Sequence, residues 1–232
     1  IDGIDFKLAS SFKKILELAS EYGEIDYKTI KELSPIKRDK IKEQMNIWSL
    51  DQFNLFIDSF DDDDKYKLFF AVLFYSGMRI AEIRALTKKD IINNTIFVNK
   101  IISSKYEKID GISTPKTRSS IRYISMPDWI MDAIKEKIKG LSPNDFIFAN
   151  KNKPFSETDI RRHLNRHIII SNVPKIRIHD FRHSHASYLI NSGIPIKAVS
   201  QRLGHSSVKT TMDVYWHLMD QDEANILKLL NK

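Results

Sequence analysis

Ile178-His179-Asp180-Phe181-Arg182-His183-Ser184-His185-Ala186-Ser187 is the stretch from which the rest of the chain is read. Helical spacing puts His179 and Arg182 on one face, three residues apart. Histidines at 179, 183 and 185 invite a metal reading, because 179 and 183 stand four apart. A zinc-protease helix needs a glutamate directly after its first histidine, and here that residue is Asp180. Nearby arginines would also repel a cation. The stretch therefore points to an anion, with His179 and Arg182 as its candidate contacts.

Working outward, more groups of the same kind appear. Downstream, Leu203-Gly204-His205 marks a break between helices, where an imidazole at a helix N-terminus suits a phosphate. Tyr215 follows ten residues later in Thr210-Thr211-Met212-Asp213-Val214-Tyr215. Taken alone it is an amphipathic tyrosine capping a core. Behind this set of cations it reads as a nucleophile aimed at a phosphate. Upstream, Tyr75-Ser76-Gly77-Met78-Arg79-Ile80-Ala81-Glu82 carries a glycine turn and then an arginine at a helix start. Glu82, three residues on, can orient that guanidinium, although a surface ion pair has the same spacing. Lys116, in Ser113-Thr114-Pro115-Lys116-Thr117, falls on a hairpin tip, where a lysine is ordinarily solvated. As a functional group it can donate a proton to a leaving oxygen. Phosphodiester cleavage without a metal requires cations and proton donors from side chains alone, and this set supplies both.

Composition bounds the reading. The chain has 232 residues, enough for one large domain, or for one domain plus a fragment of another, and at 42% hydrophobic it can bury a core. Its formal net charge is +7, from 37 Lys+Arg against 30 Asp+Glu, and a basic balance favours a polyanionic partner. No cysteine is present, which excludes disulfides, thiolate zinc sites and cysteine nucleophiles, and fits a cytoplasmic protein. The longest apolar run, Leu68 to Tyr75, is far too short to span a bilayer, and Asp2, Asp5 and Lys7 interrupt any signal peptide. No membrane association is expected. The sequence does not begin with Met and is read as a fragment or a processed product.

Along the chain, the pattern predicts a mainly helical α+β protein. An amphipathic helix covers 8–22, a second short helix 27–33, and a polar linker 34–46. Ser49 and Gln52 make a capping box that opens a helix to about Phe60. The acidic run Asp61–Asp64 is read as the solvated start of the next helix, 65–76, rather than as a metal site. Another helix runs from Met78 to Leu86. Strands are expected at 95–98, 100–106 and 119–125, with turns at Asn93-Asn94 and Asp110-Gly111. Pro127 opens a helix to Lys139, Gly140 stops it, and Phe146–Phe148 forms a short strand. Helices then follow at 156–170, 179–191, 195–203, 207–217 and 221–230.

The ordered set resembles the tyrosine recombinase family, the integrases of phages and mobile elements. It comprises Gly-x-Arg-x-x-Glu around Arg79, Pro-Lys-Thr around Lys116, His-x-x-Arg at 179 and 182, Leu-Gly-His at 205, and Tyr215. No single motif is specific, but their order and spacing are, and they cover about 48–220. The resemblance implies the tyrosine-recombinase catalytic fold over 47–232, with a small antiparallel sheet. Residues 1–46 are then the end of a helical core-binding domain plus a linker. It implies Tyr215 as nucleophile, forming a 3′-phosphotyrosyl link, with Arg79 and Arg182 on the non-bridging oxygens. Lys116 is then the general acid, His179 assists proton removal, His205 bonds the phosphate, and Glu82 is support. The implied activity is site-specific recombination through a Holliday junction, with no cofactor and no metal. The implied partners are double-stranded DNA, three further copies in a homotetramer on paired DNA sites, and accessory DNA-bending proteins. The 221–230 helix would dock on a neighbouring subunit or on its own core. Rival readings are DNA relaxation by a type IB topoisomerase-like enzyme, a non-catalytic helix-turn-helix regulator over 195–217, and a metal-dependent nuclease.

Overall fold

Phenylalanine builds the core in this computed structural model, which describes residues 6–26, 28, 46–102, 111–115 and 117–215. The chain divides into two units, Ile1–Gln44 and Met45–Lys232. In the first, helix α1 spans Phe6–Glu21, with Phe12, Ile15 and Leu18 exposed. The predicted helix at 221–230, all but residue 28 of the one at 27–33, and nearly all of the predicted linker lie outside the described residues.

In the second unit, helix α2 (Leu50–Asp58) begins at the predicted capping box. The Gln52 amide donates to Ser49 Oγ (3.2 Å), and the Ser49 amide donates to Gln52 Oε1 (3.0 Å). Helix α3 (Lys65–Ser76) is capped by Asp64 and ends at Gly77. From Leu68 to Phe74 it is wholly apolar, and Phe69, Phe70, Val72, Leu73 and Phe74 are fully buried, as expected of a central helix. Phe53 stacks on Phe74 with ring centroids 3.9 Å apart, and Phe70 stacks on Phe181 at 5.6 Å. Trp48 ties the start of the unit to its far end. Its indole N–H donates to Pro174 O (2.8 Å) and its amide to Ser184 Oγ (2.9 Å).

Strands β1 (Ile91–Ile92), β2 (Thr95–Val98) and β5 (Arg122–Ser125) form an antiparallel sheet in the order β1-β2-β5. Its register pairs Thr95 with Ser125 and Val98 with Arg122. Ile96, Val98 and Ile124 face the core, while Tyr123 faces out. Strands β3 (Ile101–Ile102) and β4 (Ile112–Ser113) form a separate pair. Helix α5 (Asp128–Lys137) begins at Pro127, as predicted. Beyond it come α6 (Glu157–Ser171), α7 (Asp180–Asn191), α8 (Ile196–Leu203) and α9 (Val208–Tyr215), close to their predicted spans.

Three expectations are corrected. The helix expected from Met78 to Leu86 is only α4, Ile80–Ile83. The Leu86 carbonyl accepts from the Ile147 amide (2.9 Å), and the Lys88 amide donates to Asp145 O (3.1 Å), so tertiary bonds draw the chain out of the helix. The strand expected at Phe146–Phe148 is reduced to one antiparallel bridge, Phe146 with Thr87, and the regular pairing nearby falls on β6 (Ala149–Asn150) and β7 (Lys153–Pro154). Lys151 and Asn152 take positive φ (46° and 63°), the two-residue hairpin geometry that pairs the residues flanking it. The strand expected at 119–125 starts only at Arg122, because Arg118–Ser120 is a 3-10 turn held by Thr117 Oγ1 and Ser120 Oγ, 2.9 Å apart.

Candidate active site

Gly77 begins the site. It closes α3 with φ +63°, and a Cβ there would lie 2.5 Å from His185 Cδ2, so both backbone conformation and space demand glycine. Arg79 follows at the N-cap of α4, with a partly exposed side chain. Its Nη1 donates to Glu82 Oε1 (2.8 Å) and its amide to Glu82 Oε2 (2.9 Å). The expected Arg79–Glu82 orientation is thus present, and Glu82 is 1% exposed rather than on the surface.

Arg182 lies in the first turn of α7, one turn after His179, the residue at that helix's N-cap. Its guanidinium is buried and bridges two helix ends. Nη1 donates to Gly77 O and Nη2 to Leu203 O, both at 2.8 Å. Carbonyls at helix C-termini carry partial negative charge, which suits a guanidinium. The bridge fixes two loops to one side chain: Arg79 stands two residues beyond Gly77, and His205 two beyond Leu203. The protonation of the histidines reports the same convergence. Burial, then the charges of Arg182, Arg79, Arg122 and His183, push His205 down to about 4. Burial, then Arg182, Arg79 and Arg177, also lower His179, against the opposing charge of Asp180. His183 meets His179 edge to face at 4.9 Å and is pushed down to about 4, mainly by burial and then by His179. His205 Nδ1 lies 2.7 Å from Thr211 Oγ1 of α9, which sets the ring's orientation.

Beneath these groups runs a layer that the sequence reading missed. Arg122, at the start of β5, donates through Nη2 to Glu82 Oε2 (3.0 Å) and through Nη1 to Glu82 Oε1 (3.3 Å). Its Nε donates to Arg202 O (2.7 Å). Arg202 in turn donates from Nε to His185 Nε2 (3.1 Å) and from Nη2 to Tyr75 O and Ser125 O, each at 3.0 Å. His185 is therefore a buried acceptor, pushed down to about 3 by burial and then by Arg202 and Arg182. Burial alone would raise the Glu82 pKa. The bonds and charge of Arg122, then those of Arg79, outweigh it and hold the carboxyl below its ordinary value. One signal for Arg122 was available: Arg122, Ile124 and Met126 alternate, which places an arginine at an inward register position. Nothing in the sequence marks Arg202.

Tyr215 is the last described residue of α9, which packs against α8. Its side chain and all of Lys116 lie outside what the structure describes. Arg79, Glu82, His179, Arg182 and His205 are brought together.

The fold is that of tyrosine-recombinase catalytic domains. The Tn1549 transposon integrase in complex with circular intermediate DNA superposes with a TM-score of 0.70 at 24% identity, over 94% of this chain and 85% of that one. A lambda integrase dimer bound to a COC′ core site gives 0.66 at 14% identity, over 89% and 71%. By sequence, the chain belongs to the phage integrase family, which it matches over residues 48–222. The ICEBs1 integrase of Bacillus subtilis (strain 168) is 34% identical over 205 residues, covering 82% of this chain. A tyrosine recombinase of Thermosipho africanus is 29% identical over 224 residues, covering 95% of this chain. The chain spans 55% of the length of the Bacillus relative and 72% of the Thermosipho one.

Proposed function

We propose that this chain cuts and rejoins DNA by transesterification at Tyr215, as the catalytic part of a site-specific recombinase of a mobile element or phage. The observation that carries this reading is the Arg182 bridge, which holds the loops of Arg79 and His205 to one guanidinium. In the proposed step the Tyr215 oxygen attacks the scissile phosphorus, and the bond to the 5′-oxygen breaks. The phenol proton passes to His179, whose lowered pKa leaves it a neutral base at pH 7. Lys116 protonates the departing 5′-oxygen. Arg79 and Arg182 stabilise the charge that builds on the non-bridging oxygens, and His205 donates to one of them from the nitrogen opposite its Thr211 contact. The 3′-phosphotyrosyl bond keeps the energy of the phosphodiester. A 5′-hydroxyl from a partner duplex then reverses the step, and two rounds pass through a Holliday junction.

Under the same proposal, 47–232 is the catalytic domain and 1–46 the end of a DNA-clamping helical domain with its linker. The working assembly is a homotetramer on paired duplex sites in the cytoplasm, assisted by DNA-bending proteins. Among the described residues no helix is long and apolar enough to cross a membrane.

The test is a nicked suicide duplex carrying the element's end, incubated with the protein in EDTA. A covalent protein–DNA adduct is expected, and Tyr215→Phe should abolish it while DNA binding persists. An adduct that survives Tyr215→Phe removes that residue from the role. Arg79→Ala and Arg182→Ala should each slow adduct formation by ~10² or more, the scale of one lost transition-state donor.

A further inference from the structure

A second polar cluster forms where the turn between α2 and α3 meets α6. Asp64 caps α3 with one oxygen, Oδ1, which accepts from the Tyr66 amide (2.7 Å). Its other oxygen, Oδ2, lies 4.0 Å from Nδ1 of His163. His163 and His167 stand four apart on α6, with near-parallel rings whose centroids are 6.4 Å apart. One ligand atom from each of Asp64, His163 and His167 falls within 4.8 Å of the other two.

Both rings are held in place. His163 stacks on Tyr66 at 3.7 Å and His167 on Phe60 at 3.5 Å. Ser59 Oγ donates to Phe56 O (2.7 Å) and lies 2.9 Å from His167 Nδ1. A hydroxyl has one proton, so His167 Nδ1–H donates to Ser59 and the lone pair rests on Nε2. Such an outer partner is what orients a metal-binding imidazole. His163 Nδ1 is buried without a hydrogen-bond partner. An orphaned nitrogen facing a carboxylate oxygen across 4.0 Å is a juxtaposition that a cation between them resolves. The surrounding cavity is also lined by Asp61, Asp63 and Asp159, against Lys65 and Arg162, so its walls favour positive charge.

We propose that Asp64, His163 and His167 bind a divalent transition-metal ion of the zinc class, pinning the α2–α3 turn to α6. Two imidazoles and one carboxylate are borderline donors suited to zinc, cobalt or nickel, whereas magnesium and calcium take oxygen ligands. Metal–ligand bonds of about 2.0–2.2 Å require the three atoms to close in by about 1 Å, a rotamer-scale adjustment. A fourth position falls to water or to a neighbouring aspartate of the acidic run. The ion is structural: the transesterification proposed above passes through none of these residues and proceeds in EDTA.

The experiment uses the full chain, stripped with EDTA and dialysed, then titrated with Zn²⁺ by calorimetry and with Co²⁺ by visible absorption. It is compared with Asp64→Asn, which keeps an N-cap residue, and with His163→Gln. One-to-one binding is expected in the unsubstituted chain. Zinc at about one hundred times its Kd should raise Tm by about 5 °C or more. Each variant should bind at least tenfold more weakly and lose the shift, while its metal-free circular dichroism stays that of the parent. Magnesium should produce neither effect. Affinities within tenfold across all three proteins overturn the proposal, because the ion is then held elsewhere, for example by the active-site histidines. A zinc titration that leaves Tm unchanged overturns it as well, and water is then the occupant.

Discussion

Replacing Glu82 with glutamine tests the layer beneath the active site. Glu82 is 1% exposed and accepts four hydrogen bonds: from the Arg79 amide, Arg79 Nη1, Arg122 Nη1 and Arg122 Nη2. Arg122 is itself buried, so Glu82→Gln leaves a guanidinium in the interior facing an amide. Breaking a buried ion pair from one side costs about 3–5 kcal/mol. Glutamine keeps one acceptor oxygen, so the lower end, about 3 kcal/mol, is expected even though its NH₂ faces a donor. Urea unfolding measures this: with m at about 2–3 kcal/mol/M, the midpoint should fall by about 1 M at unchanged m. Arg122→Met and the double variant complete a cycle. If the pair is coupled, the double variant loses less than the sum of the singles, by more than about 1 kcal/mol. Acid supplies an internal control. The folded pKa of Glu82 lies below its unfolded value, so its contribution is complete above about pH 4.5 and is lost as pH falls through the folded pKa. Glu82→Gln should flatten that part of the profile. Adduct formation should slow as well, because Arg79 loses the carboxylate that aims it. A loss below 1 kcal/mol, or additive singles, would refute the claim that this carboxylate organises the two arginines.

Gly77→Ala places a methyl at φ +63° and 2.5 Å from His185 Cδ2, so a destabilisation of about 2–4 kcal/mol in the same urea assay is expected. Folding stability should also fall between about pH 6.5 and pH 4. His183 and His205 near 4 and His185 near 3 bind fewer protons folded than unfolded, so stability rises with pH across that window. After allowing for solvent screening of the partly exposed pair, the slope should be about 1–2 kcal/mol per pH unit; a flat profile would contradict the buried neutral imidazoles. Trp48→Phe should cost about 1–3 kcal/mol by leaving Pro174 O without its indole partner, read from the thermal midpoint. DNA affinity should drop steeply with salt, as phosphate contacts release counterions, and a salt-insensitive affinity would count against a duplex partner.

The helix ends were legible because their determinants are local. Ser49 with Gln52, Asp64 and Gly77 each act within a few residues of themselves, and the structure uses them where the sequence places them. The β6–β7 hairpin was not legible. Its turn, Asn150-Lys151-Asn152-Lys153, lacks glycine, and the positive φ at Lys151 is imposed by the pairing around it. The early end of α4 has the same kind of cause, since the Leu86 carbonyl is taken by Ile147, sixty-one residues on.

The site divides along the same line. Arg79, His179, Arg182 and His205 were legible as candidates because residue type and motif spacing mark them without reference to packing, and the structure brings the four together. Arg122 and Arg202 were not, because what they do depends on partners that the fold supplies. Arg122 reaches forty residues back to Glu82, and Arg202 reaches Tyr75 O and Ser125 O from another helix. Their work follows from electrostatics. Guanidinium groups gathered this closely repel one another, and that repulsion must be held down by the interior. Glu82 does this for two of them at once, and helix-end carbonyls do it for Arg182. One carboxylate against Arg79 and Arg122 leaves their cluster net positive. Full neutralisation would ease that repulsion and would also remove the field that the proposed function uses to draw in a phosphate.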